Sequence, residues 1–349
     1  MAIVTAKDIA ARLGLSPSAV SLALNGKPGV SERTRSQVLD LAAQLGYTLP
    51  RSGGSGEGQK RTICFMIYVD TVVSIAEHTT FSSFVLKGVE AEATATGFQT
   101  VVRYLYAGKP LERQVANILA EASAIVILGT DITQRSVREI AAFVDSASTV
   151  PIVILDNFLL SDKVDCVGND NRAGAMLIVR HFLSQGMRSI GYFRSRQRIE
   201  PYDMREQGIR EALKEANLEL HTVVDVDIAS EGAFRDVDRW LKSEPVLPEA
   251  FFAENDVVAA AAMRALAMNG VKVPEQVAIV GFDDIPICTI TVPPLTSVHA
   301  YKETIGRMAV STVLQRLRSG QNTRTAQQVG LMKIEMSMQL RVRKSSVKG

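Results

Sequence analysis

From residue 62 onward, short apolar runs alternate with helical stretches: TICFMIYV, AIVILG, PIVIL, SIGYF and VAIVGF are the clearest of the runs. Each is rich in Ile and Val and is bounded by Gly, Pro, Asp or Asn, the pattern of a strand buried on both faces. Between them lie SSFVLKGVEAEATATG, NRAGAMLIVRHFLSQG and NDVVAAAAMRALAMNG, helix patterns that each close on a glycine able to take the left-handed cap. Repeated strand-then-helix order calls for parallel sheets with helices on both faces. At 349 residues the chain exceeds what one core serves, so two such lobes are expected in addition to whatever precedes residue 62.

Composition narrows the class. Hydrophobic residues make up 46% of the chain and the formal net charge is +2, a balance that builds a core and argues against disorder. There is no run of 18 apolar residues, and the start MAIVTAKDIA lacks the basic-then-apolar order of a secretory signal, so a cytoplasmic protein is expected. Cys64, Cys166 and Cys288 are dispersed without a CxxC and read as reduced core thiols. The charge is uneven. Up to Arg61 there are eight basic residues against four acidic ones, which leaves the rest slightly acidic. A basic block at one end suits a polyanionic partner.

The first 47 residues hold three short helical patterns. Thr5 with Asp8 resembles a capping box, and Ile9, Ala10 and Leu13 share a face before Gly14. Ser16 caps a second helix with Pro17 at its first position, and Val20, Ala23 and Leu24 face inward before Asn25-Gly26. Ser31 opens a third, with Val38, Leu41, Ala42 and Leu45 as its stripe and Gly46 as its stop. Two short helices across a tight Gly-containing turn fit the helix-turn-helix pattern, whose second helix enters the major groove, and fit a plain three-helix packing module equally well.

The segment VTAKDIAARLGLSPSAVSLALNGKPGVSERTRSQVLDLAAQLGY resembles the amino-terminal headpiece of the LacI/GalR family of bacterial transcription regulators. The resemblance runs through V-T-x-x-D-I-A, the G-L-S turn, A-V-S, V-S-x-x-T-R and the closing L-G-Y. It implies phosphate contacts from Thr5, Ser16, Ser21, Asn25, Ser31 and Thr34, which position a module without reading sequence. Serines at helix starts are also ordinary caps, and at Ser16 and Ser31 both roles are expected. Base reading falls to Pro17, Ser18 and Leu22. The family commonly has arginine where this chain has Leu22, so an unusual operator is implied.

In doubly wound sheets ligands gather outside the carboxyl ends of the strands. Asp156 follows PIVIL, Glu254, Asn255 and Asp256 follow AFFA, Asp283 and Asp284 close VAIVGF, and Phe81 is expected in a long loop after the first strand. Carboxylates, an amide and an aromatic face suit a polyhydroxylated ligand. Asn255 or Asp256 could equally cap the alanine-rich helix. The stretch FFAENDVVAAAAMRALAMNGVKVPEQVAIVGFDDIPICTITVPPLTSVHAYKETIGRMAV is similar to the effector core of the same family, itself similar to periplasmic sugar-binding proteins. That resemblance implies effector contacts at Phe81, Asp156, Arg205, Asn255 and Asp283. Many relatives stack an aromatic residue on the ligand from the segment matching VDIASEGAF, where this chain has Ile228. A sugar is the expected effector class, a nucleobase or other small metabolite the alternative. A homodimer on a roughly palindromic operator is also implied.

The expected architecture is therefore α/β: a helix-turn-helix headpiece over 1–47, a Gly/Ser-rich hinge over 48–61, and a two-lobed core of periplasmic-binding-protein type over 62–345. Lobe one is expected at about 62–158 and 292–324, and lobe two at about 159–291 and 325–345, with VPPLTSV and a run near 325 as crossings. Rival readings are an α/β enzyme and a secreted sugar-binding protein. Against the enzyme, the chain has no GxGxxG after a strand, GxxxxGK[ST], HExxH or GxSxG, and its four histidines are scattered. No catalytic residue, metal or cofactor is expected. Against the secreted protein stand the basic headpiece and the missing signal.

The hinge reads TLPRSGGSGEGQKRT. Relatives carry a short helix here whose leucine wedges into the minor groove; this chain keeps Pro50 and Arg51, with Arg51 as a DNA contact, and lacks the leucine. Gly53, Gly54, Gly56 and Gly58 each oppose a helix by about 1 kcal/mol relative to alanine, so a coil tether is expected. The headpiece yields one test. Leu22→Arg should shift base preference toward guanine at one position per half-site in a binding-site selection, and an unchanged profile would refute the assignment of that position.

Overall fold

The computed structural model describes residues 6–24, 29–44, 61–70, 72–111, 113–114 and 121–347. It divides into two compact units, Met1–Gln59 and Lys60–Gly349. Thr5, Asn25, Leu45, Gly46, Arg51 and the hinge up to residue 60 lie outside the described residues.

The first unit holds α1 (Ala6–Leu13), α2 (Pro17–Leu24) and α3 (Glu32–Gln44). Gly14 ends α1 at φ 63°, and the Leu15 N–H reaches back to the Ala10 carbonyl at 3.0 Å, a Schellman closure. Ser16 Oγ accepts the Ala19 N–H at 3.1 Å and Ser31 Oγ accepts that of Thr34 at 3.1 Å, so both helices start on serine caps. Ile9, Ala10, Val20, Ala23, Leu24, Val38 and Ala42 form the core, with Leu13, Leu15, Val30 and Leu41 packed on it.

The second unit begins with β1 (Thr62–Val69), α4 (Val72–Ala95), β2 (Gln99–Tyr106), β3 (Ala124–Leu128), α5 (Val137–Ser146), β4 (Ile152–Leu155) and β5 (Asp165–Asn169). It continues with α6 (Asn171–Ser184), β6 (Ile190–Ser195), α7 (Glu200–Glu215), β7 (Thr222–Val226), α8 (Ser230–Leu241), β8 (Ala250–Ala253), α9 (Asp256–Met268), β9 (Ala278–Asp283), α10 (Ile287–Ile290) and β10 (Thr296–His299). The last elements are α11 (Lys302–Arg318), α12 (Thr323–Val329), β11 (Lys333–Met336) and β12 (Gln339–Arg341). One sheet runs β11-β5-β4-β3-β1-β2 and the other β12-β10-β9-β8-β6-β7. The pairings are parallel except that of β12 with β10. Strand order reverses at β1/β3 in one sheet and at β6/β8 in the other. Clefts open outside the strand ends at such points.

The five apolar runs become β1, β3, β4, β6 and β9, and three of the closing glycines, Gly97, Gly186 and Gly270, take φ of 82°, 79° and 75°. Two expectations are corrected. Phe81 is not in a loop: α4 already starts at Val72, through Val, Thr and Ser, weak helix formers that a packed helix overrides. The lobe boundaries also move. β5 lies in the first sheet and β10 in the second, α11 packs on the first, and β11 and β12 divide between them. The chain therefore crosses at 169–171, 299–302 and 336–339. Crossings are set by which sheet a strand pairs with, and short strands such as KIEM carry no periodicity strong enough to say.

α4 and α11 approach so closely that a Cβ at Gly88 would strike the Glu303 carbonyl oxygen, and one at Gly306 the Val85 carbonyl oxygen. Gly306→Val should destabilise the core by about 1–3 kcal/mol in denaturant unfolding, through overpacking. A change below a few tenths of a kcal/mol would refute this contact as a constraint.

Candidate functional sites

The amino end of α2 presents its polar groups outward: Ser16, Pro17 and Ser18 are exposed, and the Ser16 and Ser18 hydroxyls lie 3.0 Å apart. Leu22 is half-buried, its side chain against the backbone at Gly29, whose φ is 120°. Ser31 and Thr34 hydroxyls are 2.8 Å apart at the start of α3. A hydroxyl that accepts a cap bond still has a proton to donate, so capping and phosphate contact are compatible at Ser16 and Ser31. The Ser21 side chain lies outside the described residues.

In the core, four of the five expected effector residues, Phe81, Asp156, Arg205 and Asp283, gather in one cavity between residues of the two lobes. Phe81, Thr130, Asp156, Ile199, Pro201, Tyr202, Arg205 and Asp283 line a cavity with room for about 10 Å³, roughly one water. Asp156 stands just past β4 and Asp283 at the end of β9; both have left-handed backbone, φ 58° and 101°. Non-glycine residues held there store strain, which collects at functional sites. Arg205 comes from α7 and is only 4% exposed. Its Nε donates to Asn171 Oδ1 at 2.9 Å, Nη2 to Asp283 Oδ1 at 3.0 Å and Nη1 to the Glu254 carbonyl. The guanidinium lies 3.7 Å from the Phe282 ring centroid and 5.4 Å from that of Tyr202. A buried charge held this way is planar and fixed.

Asn255 does not line the cavity. Its Oδ1 accepts the Val258 N–H at 2.8 Å, capping α9, and its Nδ2 donates to the Tyr202 hydroxyl at 2.8 Å. It therefore steadies the ring that does line the cavity. Ile228 is buried against Ile199 and Tyr202, so aromatic surface comes from α7 and from Phe81, not from the segment of Ile228. Thr130 and Tyr202 escaped the sequence reading. Tyr202 had a signal, since it precedes Arg205 by three residues and shares its helix face.

Behind the cavity, the wholly buried Glu254 accepts from the Ser195 N–H and from Arg198 Nη1, each at 2.6 Å, and from the Tyr192 hydroxyl. Asp256 accepts from Ser297 Oγ at 2.6 Å and from the Ile285 N–H at 2.9 Å. A second cavity, about 370 Å³, lies along 299–304 between Phe84 and Ile285–Pro286. Its Asp284 is already bonded to His299 Nδ1 at 2.8 Å and Arg343 Nη2 at 2.7 Å.

Burial pushes the carboxyls of Asp156, Glu254 and Asp256 up to about 7. With folded values above unfolded ones near 4, the folded state holds more protons, so this contribution to stability is present below about pH 4 and is lost toward pH 7. Burial holds His181 below its ordinary value, which acts in the opposite sense but through a single group. The thermal midpoint of the ligand-free protein should fall from pH 5 to pH 7.5, less steeply in Asp156→Asn. A midpoint that rises over that range would contradict the assignment.

Comparison with known proteins agrees with the two-part fold. Residues 5–49 match the model for bacterial regulatory proteins of the lacI family, and residues 179–346 that for a periplasmic binding protein-like domain. The HTH-type transcriptional repressor PurR of Photobacterium profundum is 25% identical over 346 residues, 98% of this chain and 98% of its own length. The ribose operon repressor of Escherichia coli is 28% identical over 318 residues, 90% of this chain and 93% of its own. The solved complex of the transcriptional regulator CelR with cellobiose superposes with a TM-score of 0.70 at 25% identity, covering 98% of this chain and 99% of that one. The chain belongs to the LacI family of bacterial transcription regulators.

Proposed function

We propose that this protein is a cytoplasmic repressor that binds a roughly palindromic operator as a homodimer and changes its operator affinity when a sugar enters the core cleft. The observation that carries the reading is the union in one chain of a capped, basic three-helix headpiece and a two-lobed core with a buried guanidinium flanked by two aspartates. Its work is binding rather than bond-making. Thr5, Ser16, Ser21, Asn25, Ser31 and Thr34 take the phosphates, Pro17, Ser18 and Leu22 face the bases, and Arg51 adds a backbone contact from the hinge.

In the core, Asp156, Asp283 and Arg205 bond the hydroxyls of the sugar and Phe81 and Tyr202 cover its apolar face, with Asn255 holding Tyr202. The sugar class draws support from the ribose operon repressor and from the cellobiose-bound regulator. A cavity the size of one water admits a sugar only as the lobes part, and the three crossings are the hinge on which they do so. The ligand then shifts operator affinity by as much as it distinguishes the two lobe arrangements.

Binding-site selection on random DNA, repeated at several salt concentrations and with a panel of sugars, tests the reading. A palindromic consensus should emerge, with log affinity falling linearly against log salt and at least one sugar changing it. Absence of sequence-selective binding under every condition would sink the proposal.

A further inference from the structure

A closed circuit of hydrogen bonds joins the cleft to the places where the chain passes between lobes. Arg205 Nε donates to Asn171 Oδ1 at 2.9 Å, and Asn171 Nδ2 donates to the Asn169 carbonyl at 3.2 Å. Asn169 Oδ1 accepts the Tyr301 N–H at 3.2 Å, which ties the crossing at 169–171 to that at 299–302. The next residue, Lys302, donates through Nζ to the carbonyls of Asp283 and Ala300. Asp283 Oδ1 accepts from Arg205 Nη2 at 3.0 Å, and the circuit closes where it began. The third crossing joins it through the Asp170 N–H, which donates to the Met336 carbonyl at 3.0 Å.

Lys302 spans the lobes with its side chain. It opens α11, which packs on the first sheet, yet its ammonium reaches the carbonyl at the end of β9 in the second. Lys302 is 6% exposed, its ammonium lies 5.9 Å from the centroid of the Phe84 ring on α4, and among the described residues it forms no ion pair. Taking a charge out of water without a counter-ion is costly, and an apolar chain fills such a space at less cost, so packing gives no reason for a lysine here. The carbonyl it holds belongs to a strained residue. Asp283 keeps a left-handed backbone at φ 101°, a conformation that persists only where its surroundings impose it. Arg205 holds that residue by its carboxylate and Lys302 by its carbonyl, so a pull on one is felt by the other. The cavity of about 370 Å³ is also lined by Lys302, which leaves the ammonium room for a second position.

We propose that Lys302 is the positioning residue that couples the cleft to the crossings: by clamping the Asp283 backbone from the first lobe, it makes a shift of the Asp283 carboxylate loosen the joints between the lobes. The proposal rests on the reading of this cleft as the effector site and adds the path by which occupancy acts. A ligand that draws the Asp283 carboxylate from Arg205 turns the residue on its strained backbone, and the carbonyl that Lys302 grips turns with it. Lys302 then yields the crossing at 299–302, and Asn169 carries the change to the crossing at 169–171. Contiguous bonds carry coupling when the element they join has two arrangements, and two lobes around a hinge are such an element.

Hydrogen exchange on the full-length protein, without ligand or DNA, tests this through a double-mutant cycle of Asp283→Asn and Lys302→Met. Asparagine tolerates the left-handed backbone, so the first change removes the charge and little else. The amides read are those of Asp170 and Tyr301, neither of which bonds to an altered side chain. Each single variant should speed their exchange at least about fivefold, and the double variant should be no faster than the faster single, because both break one path. Amides inside β1 and β3 should keep their rates. Rates that multiply in the double variant, unchanged rates in either single variant, or equal acceleration in β1 and β3 would each overturn the proposal. Should Lys302→Met not fold, Asp283→Asn alone decides, since unchanged Asp170 and Tyr301 rates overturn the circuit. Operator titrations with ribose and with cellobiose separate the two readings. Where one of them moves the wild-type operator Kd, Lys302→Met should hold the ratio of Kd values with and without it to within about twofold of one, and an unchanged ratio overturns the coupling. No response of the wild type to a panel of sugars counts against the effector reading, while the exchange cycle decides the role of Lys302 by itself.

Discussion

The core is organised around one buried guanidinium. Arg205 is 4% exposed, and a charge so placed is tolerable only if its donors and its field are met. Three groups meet it: Asn171 from the start of α6, the Glu254 carbonyl just past β8, and Asp283 at the end of β9. The Phe282 ring supplies a face. These partners come from separate elements of the second lobe, so the guanidinium fixes the strand ends that form one wall of the cleft. The strained backbone at Asp283 is a consequence, since its carboxylate reaches Arg205 from a left-handed position.

The opposite wall depends on Arg205 indirectly. Asp156, in the first lobe, is buried and hydrogen-bonded by Thr130, and the Arg205 field is the chief influence that favours its charged form against burial. Under the proposed function, a ligand in this cleft meets that field, and the three crossings are where a change there would become a change in lobe arrangement.

Much of this was legible in the sequence. The described part of the headpiece was readable because serine caps and a glycine stop leave strong local signals, as at Ser16, Ser31 and Gly14. The buried strands of β1, β3, β4, β6 and β9 were equally plain, since Ile and Val runs fully enclosed by helices have no polar alternation to obscure them. The edge strand β2, with its mixed burial, gave no such signal, and neither did the short strands β5 and β11, whose sheet assignment misplaced the lobe boundaries. Arg205 was found by family resemblance, yet its burial was not readable from a helix rich in charge. Asn255 showed its cap in the sequence but not its bond to Tyr202, because contacts between residues fifty positions apart are a property of the fold alone.

The account's central claim is that occupancy of the Arg205 cleft changes the hold of the headpiece on DNA. Fluorescence anisotropy of a selected operator, titrated with protein at zero and at saturating effector, measures it most directly. The account predicts a shift in operator Kd within about 5- to 150-fold, the range of ordinary coupling energies. A ligand that binds the core with unchanged operator Kd would contradict it.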